Sequence, residues 1–186
     1  MNFDYSDDQK FLKDEARKFL AAQCDSDRVR AVLDDPATAY DVDLWKAVGA
    51  QGWLGAAIPE EFGGLGLGHI ELCAIAEELG RACAPIPFAS TVYFVAEALM
   101  LYGSDTQKVR WLPRIAAGDV IGALATSEGA GPVTARSIRT TVSGGKLTGE
   151  KIPVTDGDVA DLIVVLARDG LYLVEKGAGV AAEILE

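Results

Sequence analysis

Residues 119–132 read DVIGALATSEGAGP, and the hydrophobic period of the chain changes across them. On the N-terminal side apolar residues recur at three- and four-residue spacing. On the C-terminal side they form short β-branched runs separated by Gly and Asp. This pattern predicts a helical domain followed by a β domain.

Working back from Asp119, Ser104 and Gln107 carry capping-box spacing ahead of a helix that Pro113 is expected to interrupt or end. Phe88–Tyr102 is apolar nearly all round, so this helix should be covered on most of its circumference, at the centre of a bundle. Leu72, Ile75, Ala76 and Leu79 mark an amphipathic helix ending at Gly80. Another, near 41–50, begins at Asp41 and carries Leu44, Trp45 and Val48; Asp25 or Ser26 can cap a shorter one. Ser6 and Gln9 form a capping box for a helix over about 6–23, with Phe11, Leu12, Phe19 and Leu20 on one face.

Working forward, the predicted strands are Val120–Ser127, Ile138–Val142, Lys146–Thr148, Leu162–Ala167 and Leu171–Val174, with Val180–Leu185 as a further potential strand. Ser143-Gly144-Gly145 is a hairpin turn. Leu162–Leu166 does not alternate, so it reads as a strand covered on both faces. A sheet of these few strands would carry an unpaired edge, and the expectation is that the sequence belongs to something larger or pairs with another chain.

Composition narrows the function. The 186 residues are 49% hydrophobic and 24% charged, which suits a folded chain with a real core. The net charge of −11 repels a phosphate backbone and argues against nucleic-acid binding. Cys24, Cys73 and Cys83 are an odd number without CxxC spacing, which fits neither a secreted disulfide framework nor a zinc site and points to a reducing cytoplasm. No run approaches the roughly 18 apolar residues of a membrane span, and the N-terminus has no basic flank leading into an apolar core.

Residues 58–68, IPEEFGGLGLG, place four glycines in six positions. They read either as a structural turn or as a phosphate-cradling loop, although the lysine and hydroxyl of a P-loop are missing and no strand precedes them. In context they carry more. The segments DLWKAVGAQGWLGAAIPEEFGGLGLGHIELCAIAEELGRA, YGSDTQKVRWLPRIAAGD, GALATSEGAG and LTGEKIPVTDGDVADLIVVLAR, in that order, resemble the acyl-CoA dehydrogenase family over nearly the whole chain.

That resemblance implies an α+β arrangement: an N-terminal all-α helical bundle at 1–119, then an antiparallel β-barrel-like middle domain at 120–186, truncated. The family's C-terminal four-helix domain has no counterpart here. It further implies FAD, an acyl-CoA substrate, homo- or hetero-oligomers of acyl-CoA dehydrogenase subunits, and an electron-transfer acceptor. In the family a carboxylate removes the proton α to the thioester while hydride leaves the β carbon for the flavin. That base normally comes from the C-terminal domain, so no catalytic residue is assigned, and no metal. Glu60, Glu61, Glu77, Glu78 and Glu97 read as solvated carboxylates, and His69 as a helix-start residue.

The family pattern resembling A-L-T-E-P-G-A-G-S falls on Ala125–Pro132 with one proline absent. By this match the backbone around Leu124 and Thr126 faces the pyrimidine edge of the flavin, Ser127 replaces the family threonine, and Gly131 lets the chain approach the phosphates. The family serine falls on Pro132, which has no donor. The family tryptophan of G-x-K-x-W-I-T falls on Pro153, while Thr155 keeps its hydroxyl. Uncompensated, these losses weaken FAD binding by roughly two to three orders of magnitude, which suits a diverged subunit of a heteromeric enzyme. A non-catalytic scaffold subunit is the rival reading, and a related flavin oxidase or monooxygenase a third.

Arg136, Arg139, Lys146 and Lys151 against Glu150 give residues 129–151 a net +3, suggesting attraction for CoA phosphates or simply a polar outer face. Tyr93 and Phe94 are acyl-pocket candidates, or plain core.

Overall fold

The computed structural model describes residues 4–177 and 179–183. The chain forms two compact units: residues up to Ile86 together with Val109–Gly118, and Pro87–Lys108 together with residues from Asp119 on.

In the first unit α1 (Asp7–Gln23) starts at Ser6, whose hydroxyl accepts from the Gln9 amide in a complete capping box. The Asp25 and Asp41 carboxylates cap α2 (Ser26–Leu33) and α3 (Val42–Ala50) by accepting from the Arg28 and Leu44 amides. Helix α1 packs on α4 (His69–Arg81) through Ala16, Leu20, Leu72, Ile75 and Leu79. Phe11 departs from the expected stripe and is 67% exposed. Leu12, Ala16 and Leu20, four residues apart, follow the buried line, and Phe11 sits one residue and about 100° off it.

The glycine-rich residues resolve as a structural turn. The amides of Leu65, Gly66 and Leu67 donate to the carbonyls of Gly55, Ile58 and Ala56, so they are spent inside the fold and none of the three is left to cradle a phosphate. A Cβ at Gly64 would run into the Ile58 carbonyl, which makes glycine obligatory there.

Helix α6 (Asp105–Ala116) begins with the Ser104–Gln107 capping box, and its residues from Val109 belong to the first unit. It runs through Pro113 instead of ending there. The carbonyl that loses its amide donor belongs to Val109, which is exposed, so water can replace the missing bond.

In the second unit a π-helical segment, Ala89–Ala96, continues into α5 (Glu97–Tyr102). This apolar element packs against β1 (Gly122–Ala125), which accounts for its hydrophobicity; it is not the centre of a helical bundle. A Cβ at Gly122 would lie 2.7 Å from Val95 Cβ, so glycine permits the close approach.

β1 pairs in parallel with β4 (Leu162–Ala167), and β4 pairs antiparallel with β5 (Gly170–Glu175). β4 is central and nearly all buried, as its unbroken apolar run predicts. The long crossover between β1 and β4 carries the separate hairpin β2 (Thr141–Ser143) and β3 (Lys146–Thr148), turning at Gly144 and Gly145, both at positive φ. Helices followed by strands is therefore correct. The strands form open sheets, with one parallel pair and no closed barrel among the described residues. Residues 180–183 form no strand, and the rest of the expected Val180–Leu185 strand lies outside the described residues.

Candidate functional site

The site grows from the unpaired side of β1. Backbone groups alternate direction along a strand. The Ile121 carbonyl accepts from the amides of Asp161 and Leu162, toward β4. The Gly122 amide and carbonyl instead meet the buried Thr91 hydroxyl, at 3.0 and 3.4 Å, away from β4. By the same alternation the amide and carbonyl of Leu124 face away from β4; Thr126 follows the end of the strand, and its carbonyl accepts from the Lys151 ammonium. The Leu124 peptide groups and the Thr126 amide thus offer polar backbone at an edge with which no strand pairs among the described residues.

Beyond β1 the chain is pinned to the segment after β3. The Ile152 amide donates to the Ser127 carbonyl at 2.9 Å, and the Gly129 amide to the Ile152 carbonyl at 3.1 Å. The two motif segments, Leu124–Pro132 and Gly149–Thr155, are thereby brought side by side.

Glu128 organises the junction. Its carboxylate accepts from the Arg139 amide at 2.6 Å, the Thr140 amide at 2.9 Å, the Thr140 hydroxyl at 2.5 Å and the Lys151 ammonium at 2.8 Å. Lys151, chiefly, with Thr140 holds its pKa far below the usual carboxylate range, against the upward push of burial. Lys151 also donates to the Thr126 carbonyl at 3.2 Å. Sequence reasoning missed Glu128 because its partners lie 11 to 23 residues away.

The other expected residues fall as follows. The Ser127 hydroxyl donates to the Gly129 carbonyl at 2.9 Å. Gly131 has φ 107° with open space where a Cβ would stand. Pro132, Arg136, Arg139, Pro153 and Thr155 are exposed. Arg139 lies beside Glu128, whereas Lys151, counted in the basic stretch, is buried in its ion pair and cannot meet a ligand phosphate unaided. Tyr93 packs edge-on to Phe88, and Phe94 is 48% exposed. Glu78 corrects its solvated reading: it is wholly buried and bound by Arg17 and Arg81, the Arg17 guanidinium foremost holding its pKa at about 2.

A concavity of about 1400 Å³ lies over the sheet face formed by Ala125, Ile163, Val165 and Val174, bounded by Leu147 and by Lys151–Thr155. Leu124, Thr126, Ser127 and Gly131 are not in its wall. The open β1 edge and this concavity are separate features.

A flavin fits these residues in part. The polar edge at Leu124 and Thr126 and the unobstructed Gly131 suit a ring edge and a close phosphate approach, whereas Pro132 and Pro153 supply neither donor nor aromatic wall.

Residues 6–119 match the family profile described as acyl-CoA dehydrogenase, N-terminal domain. The chain belongs to the acyl-CoA dehydrogenase family. It is 36% identical over 152 residues to the mitochondrial isovaleryl-CoA dehydrogenase of Solanum tuberosum, covering 78% of this chain and 36% of that enzyme. An acyl-CoA dehydrogenase of Bacillus subtilis is 29% identical over 185 residues, 96% of this chain and 46% of its own length. Among solved structures, a chain of the ChsE4-ChsE5 complex from Mycobacterium tuberculosis superposes with a TM-score of 0.80 at 30% identity, covering 96% of this chain and 50% of that one. The chain thus spans half or less of these relatives.

Proposed function

We propose that this chain is part of a FAD-dependent acyl-CoA dehydrogenase that introduces an α,β double bond into an acyl-CoA thioester. The observation that carries the reading is the open edge of β1 at Leu124 and Thr126, in the segment that resembles the family's flavin motif. When bound, the flavin supplies the acceptor for the β hydrogen as hydride. The chain's own part is to bind and orient. Peptide groups of Leu124 and Thr126 hold the pyrimidine edge, Ser127 and Thr155 offer hydroxyls beside the ring, and Gly131 admits the phosphates. Arg136 and Arg139 attract the CoA phosphates, and Tyr93 and Phe94 border the acyl chain. Residues 1–119 and 120–186 correspond to the family's helical and middle β domains. The base would come from outside these residues, a separate electron-transfer acceptor would be a partner, and the setting is cytoplasmic.

Pro132 and Pro153 favour a heteromer in which a second subunit completes the cofactor site, in line with the ChsE4-ChsE5 complex among the relatives. The rival is a scaffold subunit that binds the partner without sharing chemistry. The test is to purify the full chain alone and co-expressed with a second acyl-CoA dehydrogenase subunit, then measure flavin per chain and bleaching by acyl-CoA. The expected result is little flavin alone and a flavin-loaded, substrate-bleached complex. A flavin-free complex supports the scaffold, and stoichiometric flavin on the isolated chain contradicts the degenerate-subunit reading. Charge reversal at Arg136 and Arg139 should weaken CoA-ester binding; unchanged affinity would remove them from the site.

A further inference from the structure

The loop 129–138, exposed from Ala130 to Ser137, leaves the fold at Glu128 and returns at Arg139 and Thr140. One carboxylate, 5% exposed, closes that loop by taking the amides of both returning residues together with the Thr140 hydroxyl. The same carboxylate fixes Lys151, itself 8% exposed, and Lys151 in turn occupies the Thr126 carbonyl. A glutamine could not substitute. In either orientation its NH₂ group would face a backbone amide donor, that of Arg139 or of Thr140, and it would leave the buried ammonium without a counter-charge.

We propose that Glu128 is a positioning residue for the cofactor edge: by clamping the loop base and Lys151, whose ammonium takes the Thr126 carbonyl, it fixes the Thr126 amide where the chain leaves the open side of β1, next to Leu124. This deepens the proposed function and rests on its placement of the flavin at that edge. Glu128 touches no reacting atom; it acts through Lys151 and the backbone.

The test uses the full-length protein with any subunit that co-purifies with it. Three variants are compared with the parent: Glu128→Asp, Glu128→Gln, and Glu128→Gln combined with Lys151→Met, which removes the stranded charge should the single variant fold poorly. Two readouts are taken, amide hydrogen exchange without cofactor and the Kd for FAD from quenching of flavin fluorescence. Glu128→Gln should speed exchange at the Arg139 and Thr140 amides at least about tenfold and raise the FAD Kd about 10- to 100-fold, the loss expected for charge-assisted hydrogen bonds. Glu128→Asp should fall between. The absorption band of FAD that still binds should shift, which loss of folded protein alone does not cause. Faster exchange with a Kd within twofold of the parent overturns the positioning role, and unchanged exchange overturns the clamp itself. A parent without FAD affinity refutes the reading of the edge, a separate failure, and exchange then still decides whether Glu128 orders the segment.

Discussion

Glu78 has no solvent contact, yet its carboxylate is ionised, because two half-exposed arginines reach it from α1 and α4. Its pKa in the fold is about 2, below the ordinary 4.5. The stabilisation is therefore complete above pH 4.5 and is lost as pH falls from there toward 2. The shift corresponds to about 3 kcal/mol, and Glu78→Gln should cost about 2 to 3 kcal/mol at neutral pH and far less near pH 2. Urea denaturation at both pH values checks this, and equal losses at the two would contradict it. At Thr91 one buried hydroxyl serves the Gly122 amide and carbonyl. Thr91→Val should cost about 1 to 3 kcal/mol by leaving both unsatisfied, measured by the same method.

At the scale of elements, the helix starts were legible because their signals are local. Ser6, Asp25, Asp41 and Ser104 lie within three residues of the amides they cap. The β2–β3 hairpin was legible for the same reason: Gly144 and Gly145 both take positive φ. Gly145→Val should cost about 1 kcal/mol or more through strain at that turn, read as selective loss of exchange protection in 141–148. The parallel pairing of β1 with β4 was not legible, since the partner strand lies some 40 residues on and alternation says nothing of direction. The apolar segment before α5 was recognised as buried, but its cover is β1, a fact no periodicity encodes. In the candidate site the motif residues could be found by resemblance. Glu128 could not be distinguished from a surface carboxylate without knowing where Arg139, Thr140 and Lys151 return.

At the scale of the whole molecule, a chain that spans half or less of its relatives supplies one polar strand edge and a glycine-containing segment, with prolines at 132 and 153 where the motif resemblance implies a donor and an aromatic ring. Cofactor affinity should therefore depend on assembly. The most direct test is amide hydrogen exchange with and without FAD in the assembled protein, resolved at residues 123–126. The Ala123 and Ala125 amides, which face β4, should be protected in both states. Those of Leu124 and Thr126 should exchange rapidly without FAD and become protected with it. Bound FAD that leaves the Leu124 and Thr126 amides exchanging freely would contradict the account.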